Sequence, residues 1–126
     1  MNFQPDINPN QNTITAIDAQ AIHVNQQPHS SSLLISPEGA LTPIHASRPE
    51  ELSDLMWQTI IAQQPEVLII GTGTKQHFIS PARLAPLYNA KIGVECMSSD
   101  AAARTYNVLM SEGRQVLALI LLPIPQ

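Results

Sequence analysis

Gly71, Thr72, Gly73 and Thr74 follow four consecutive apolar residues, "VLII" at 67–70, and Lys75 stands directly behind them. Glycines and threonines leaving an apolar strand can present backbone amides to an anion, so this loop is the first place to look for chemistry. Two nucleotide-binding patterns fail here. Lys75 lacks the glycine spacing of a Walker loop, and Gln76 stands where a dinucleotide fingerprint needs its third glycine. Pro81, the expected start of the next helix, also lies too far along the chain to open directly beneath a pyrophosphate. The glycines can hold a smaller anion, or they can serve only a tight backbone corner.

A second group follows the next apolar run: Glu95, Ser98, Ser99, Arg104, Thr105, Tyr106 and Asn107. Glu95 could act as a general base, or could orient a small polar ligand together with Arg104. The same two residues could equally pin a strand to a helix as an ion pair, with serine and threonine capping backbone. His77 has no second ligand at metal spacing, and His23, His29 and His45 share no period, so neither a metal nor a cofactor is expected. Cys96 has no base near it in sequence and reads as a small apolar residue at a strand end.

The 126 residues that must position these groups fit one domain. Hydrophobic residues make up 44% and charged residues 13%, against about 25% charged in an average soluble chain, so a sizeable core is available. A net charge of −4 leaves no cationic surface for a phosphate backbone, which argues against nucleic acid as a partner. A single cysteine suits a reducing compartment. The opening "MNFQPDINPNQN" has neither the apolar core of a signal peptide nor the arginines of a transit sequence. "VLALILLPI" at 116–124 is too short for a membrane span of roughly 20 residues. Together these read as a cytoplasmic protein.

Residues 1–12 are polar and expected to be flexible, ahead of a domain over 13–126. Short β-type runs at 13–17, 21–24, 31–36 and 40–44 are divided by "DAQ", "NQQPHS" and "PEG", and form an antiparallel group. "SRPE" then suggests a capping box with Ser47 as N-cap and Glu50 reaching back, opening a helix with Leu52, Leu55, Met56, Thr59 and Ile60 on its inner stripe. Trp57 falls off that stripe, at the rim or at a partner. Beyond Pro65, strands at 67–70, 92–96 and 116–122 alternate with helices capped by Ser80 and by Ser98 or Ser99, and Pro86 keeps the first of these short. This alternation implies parallel strands with right-handed crossovers. The C-terminal "LLPIPQ" either closes the core or forms an apolar tail for a protein contact.

The segment "GTGTKQHFISPARLAPLYNAKIGVECMSSDAAARTYNVLMSEGR" resembles an Mth-type domain family of unassigned biochemical function, which includes mitochondrial complex I assembly factor three. The likeness rests on Gly71-Thr72-Gly73, Phe78, Pro81, "GVE" at 93–95, Met97 and "RTYN" at 104–107, and extends over nearly the whole chain. It implies a three-layer α/β fold, with a central mixed, mostly parallel sheet flanked by helices and an additional N-terminal antiparallel β layer. It supplies no catalytic residue. After Met97 this chain has Asp100 and Ala103 where relatives often carry alanine or cysteine, which counts against a shared thiol mechanism.

The expected function is a non-enzymatic protein-interaction or assembly-factor-like domain with a protein partner, open to self-association. The alternative is a small-anion binding protein or an enzyme, with its pocket at the C-terminal strand ends. That pocket would be lined by Gly71, Thr72, Gly73, Thr74, Glu95, Ser98, Arg104, Tyr106 and Asn107.

Overall fold

The computed structural model describes residues 8–122. Two sheets carry the fold. The smaller is antiparallel, in the order β1 (Ile14–Ile17), β2 (Ile22–Val24), β3 (Gln27–His29). The segment expected as a simple separator, "NQQPHS", supplies β3. Asn25 and Gln26 both take positive φ, 50° and 71°, and so close a two-residue hairpin whose twist matches its strands. Asn25 is held in place by the residue that precedes β1: its Oδ1 accepts from the Thr13 amide at 3.0 Å, and its own amide donates to Thr13 O at 2.9 Å.

The larger sheet contains β4 (Ser32–Ile35), β5 (Thr42–Ile44), β6 (Val67–Gly71), β7 (Gly93–Met97) and β8 (Val116–Ile120). Its order is β5-β4-β8-β6-β7. β6 runs parallel to both β7 and β8, while β4 is antiparallel to β8 and β5, so only β4 runs against the rest. The early strands therefore do not stay together as one antiparallel group: β4 and β5 join the central sheet. The cause lies in β4 itself, whose four residues are all buried and which needs cover on both faces.

Alternation along the central strands feeds two cores. Leu34, Leu68, Ile70, Leu117 and Leu119 meet α1 (Asp54–Ala62) and α2 (Pro81–Asn89). Leu33, Ile35, Val67, Ile69, Val116, Ala118 and Ile120 meet α3 (Ser99–Ser111) and the small sheet on the other face. The three-layer arrangement expected of the chain is present, and the central sheet is mixed.

The first helix begins later than its sequence suggests. Residues Pro49–Glu51 form a 3-10 turn, Leu52 is extended, and Ser53 caps α1 by accepting from the Met56 amide. Glu51, not Glu50, reaches back, accepting from the amides of Ser47 and Arg48 at 2.9 and 3.1 Å. This later start rotates the buried stripe. Trp57 is 1% exposed beside Ile60, and Leu55, expected inside, is 77% exposed. The indole is the larger apolar surface and takes the core position, so Trp57 belongs to neither a rim nor a partner contact. Arg83 in the first turn of α2 then donates to Pro49 O and Leu52 O at 3.0 and 2.8 Å, tying α2 to the approach into α1.

At the ends of the chain, Asn12 is anchored by its amide to Pro37 O at 2.7 Å and by its side chain to Ser36 O and Gly39 O. The flexible segment expected over 1–12 otherwise lies largely outside the described residues. Of "LLPIPQ", Leu121 and Leu122 are buried in the cores, and the remaining four residues lie outside the description.

Candidate functional site

The glycine loop leaves β6 at the C-terminal end of the parallel strands and turns directly against the first turn of α3. β6 and β7 are neighbours, with Gly71 opposite Met97 and Ile69 opposite Glu95. The loop and the Glu95 strand therefore do emerge side by side. The buried polar groups there, Thr72, Ser99 and the Gly73 backbone, are used inside the protein.

Gly71 is where α3 comes closest. A Cβ at this position would stand 2.9 Å from both Cα and Oγ of Ser99, and 3.1 Å from the Ala102 Cβ. Only glycine fits that approach. Ser99 is 4% exposed and braces three backbone segments into one corner: its amide donates to Gly73 O at 2.7 Å, its Oγ accepts from Gly73 N at 2.9 Å, and its hydroxyl donates to Leu121 O at 2.8 Å. Leu121 in turn donates its amide to Gly71 O at 2.9 Å. The loop after β6, the first turn of α3 and the exit from β8 are thereby locked together, and Gly73 completes the turn with φ of 105°.

Thr72 closes the other side. It is 2% exposed, and its amide donates to Met97 O at 2.8 Å. Its hydroxyl lies 2.8 Å from Lys75 O and 3.1 Å from Met97 O, either of which can take its proton, and it accepts from the His77 amide at 2.9 Å. Ser98 caps α3, its Oγ accepting from the Ala101 amide at 3.4 Å. A hydroxyl committed to two or three internal bonds has little left to offer a ligand. Thr74 and Glu95 are exposed beside this corner, and Arg104 is exposed on α3.

Tyr106 and Asn107 point elsewhere. Tyr106 is fully buried and donates its phenol to Asn12 O at 2.6 Å. Burial holds that phenol protonated far above its ordinary range. Asn107 accepts from the Ile14 amide at 3.0 Å and donates to Ile14 O at 2.8 Å, so its side-chain amide pairs with β1 as a neighbouring strand would. The two residues fasten the small sheet to α3, away from the Gly71 corner.

Cys96 is a half-buried free thiol whose pKa burial raises, so it is a poor source of thiolate at neutral pH. Among the described residues, no group of three or more histidine, cysteine or carboxylate side chains could hold a metal ion. Two clefts open elsewhere. One of about 570 Å3 lies between Ser36–Glu38 and residues 113–117, and one of about 470 Å3 between Ser30–Ser32 and Ile44–Ser47. Neither is lined by any of the nine nominated residues.

Two features went unread in the sequence. Ser99 was read as a member of the second polar group and as a cap, although with Ala102 it is the small residue that lets α3 approach Gly71. Phe78, within the loop, is 83% exposed, the most open large apolar side chain among the described residues.

A three-layer α/β domain whose glycine corner is braced by the first turn of a helix is thus the class that fold and site define. The chain belongs to the family described as "Protein of unknown function (DUF498/DUF598)", whose model matches residues 14–121. It is similar to a Mth938-like domain from Bordetella pertussis solved by NMR, with 33% identity, a TM-score of 0.80, and coverage of 96% of this chain and 92% of that one. A Francisella tularensis protein named "13 kDa major membrane protein" is 39% identical over 62 residues, 49% of this chain and 50% of that protein. Mouse NADH dehydrogenase [ubiquinone] 1 alpha subcomplex assembly factor 3 is 32% identical over 81 residues, 64% of this chain. The chain spans about half the length of the Francisella protein and 42% of the mouse assembly factor. No helix among the described residues is long and apolar enough to cross a membrane.

Proposed function

We propose that this chain is a non-enzymatic protein-interaction domain of the assembly-factor kind, and that the loop after β6 presents the contact. The observation that carries the reading is the contrast within that loop. Its buried polar groups, Thr72 and the Gly73 backbone, are spent on holding the corner, while Phe78 stands 83% exposed a few residues on. Leu55, 77% exposed in the first turn of α1, belongs to the same end of the sheet, because α1 and α2 both begin there and Arg83 links their approaches. Exposed aromatic anchors of this kind supply much of the energy at protein contacts. The similarity to a protein named as an assembly factor supports the same direction. A cytoplasmic setting goes with this reading, which the lone half-buried cysteine suits.

The anion-binding alternative has less to draw on, since Thr72 and Ser99 are committed internally and Tyr106 and Asn107 serve β1. The test is a pull-down under native conditions with the parent and with Phe78→Ser. A discrete polypeptide recovered by the parent and lost with the variant supports the proposal. Recovery of the bait alone across several lysis conditions rejects it.

A further inference from the structure

Sheet edges carry amides and carbonyls without ladder partners, and this protein closes its edges in different ways. β3 has Pro28 at its centre, opposite His23, and β5 has Pro43 at its centre, opposite Leu33. A proline offers no N–H to an incoming strand. The outer side of β1 is taken by the Asn107 side-chain amide. β7, the remaining edge, contains no proline in "GVECM".

The direction of its backbone groups follows from its bonds to β6. Gly93 donates to Glu66 O, and Met97 O accepts from Thr72, so residues 93, 95 and 97 direct their groups inward. Alternation turns those of Val94 and Cys96 outward. Only one of these is covered: Gln76 Nε2 donates to Cys96 O at 3.0 Å, in a solvent-exposed bond. The Val94 amide and carbonyl and the Cys96 amide have no partner among the described residues.

We propose that the outer edge of β7 accepts an extended strand from a partner protein, with Gln76 as its removable cover. The site rests on the interaction reading above but uses the backbone of the sheet edge and not the Phe78 side chain. Glu95 decides the occupant. A second copy pairing antiparallel about the centre of β7 would set two Glu95 carboxylates opposite each other, a repulsive arrangement. An exposed carboxylate on a chain of net charge −4 instead favours a foreign strand with lysine or arginine facing position 95. α2 and α3 pack on β7 and carry exposed Tyr88 and Val108, apolar surface for the alternate side chains of such a strand.

The experiment titrates the isotope-labelled full chain with a short peptide alternating threonine and valine around a central lysine. Chemical shifts and amide exchange locate binding. The proposal expects slowed exchange at Val94 and Cys96, weaker binding of the same peptide with central glutamate, and loss of binding when the peptide backbone is N-methylated. Gln76→Ala should tighten the lysine peptide roughly fivefold, the worth of one exposed hydrogen bond. Glu95→Lys should reverse the preference between the two peptides. Binding mapped away from β7, no binding at all, or a Gln76→Ala protein no tighter than the parent overturns the proposal. The Phe78 pull-down is independent, so a partner recovered there would leave the interaction reading standing.

Discussion

Gly71 and Ser99 occupy one corner only because position 71 has no side chain: a Cβ there would meet the Ser99 Oγ at 2.9 Å. That contact makes the glycine a requirement of helix approach. It also makes Ser99 the residue through which three backbone segments share hydrogen bonds.

Gly71→Ala is expected to cost ~2 kcal/mol, because the methyl group overpacks a site walled by helix backbone. Ser99→Ala should cost about 1–3 kcal/mol by stranding the Gly73 amide and the Leu121 carbonyl in a buried place. The double variant should lose less than the sum, since removing Oγ relieves part of the crowding. Urea unfolding of the three variants measures this. Strict additivity would show that the two positions do not share the corner.

Asn107→Leu is expected to release β1 locally. The Ile14 amide and carbonyl both lose their partner, so hydrogen exchange at Ile14 should rise well before the central strands respond. Global stability should fall by roughly 1–3 kcal/mol. Unchanged protection at Ile14 would contradict the role given to Asn107.

Tyr106 makes a pH prediction with a definite sign. Its folded pKa lies above the unfolded value of about 10, so the folded state holds that proton more tightly. The stabilisation is fully present below pH ~10 and is lost as pH rises beyond it. Tyr106→Phe should cost ~1 kcal/mol at neutral pH, by removing the bond to Asn12 O, and should flatten the alkaline decline. Parallel curves for parent and variant above pH ~10 would contradict this.

Trp57 and Leu55 separate core from surface on one helix. Trp57→Ala should cost about 3–5 kcal/mol, and Leu55→Ala within about 0.5 kcal/mol of zero. Thermal melts of both variants decide it, and a severe loss with Leu55→Ala would place α1 in a different rotation.

The sequence showed the alternating half of the fold clearly. "VLII" and "VLALI" lack a polar face, and Ser98 and Gly113 mark the ends of α3, so strands and helix could be read directly. Trp57 was harder, because a break at Leu52 resets the helix start and with it the phase of the stripe. β3 was hidden by its own composition, since the Asn25–Gln26 turn and Pro28 read as loop. At the site, adjacency of Gly71 and Glu95 was legible from strand alternation. The bonding of Thr72 to Met97 O and the turn of Tyr106 and Asn107 toward the N-terminal strand were not, because they join residues 25 or more apart in the chain.

Native mass spectrometry of the protein gently isolated from its own cells tests the central claim most directly, because it weighs whatever stays bound. The account predicts a species heavier by a second, different polypeptide, which Phe78→Ser abolishes while the fold remains intact. A species heavier only by a small molecule, retained in Phe78→Ser and lost in Glu95→Gln, would contradict it.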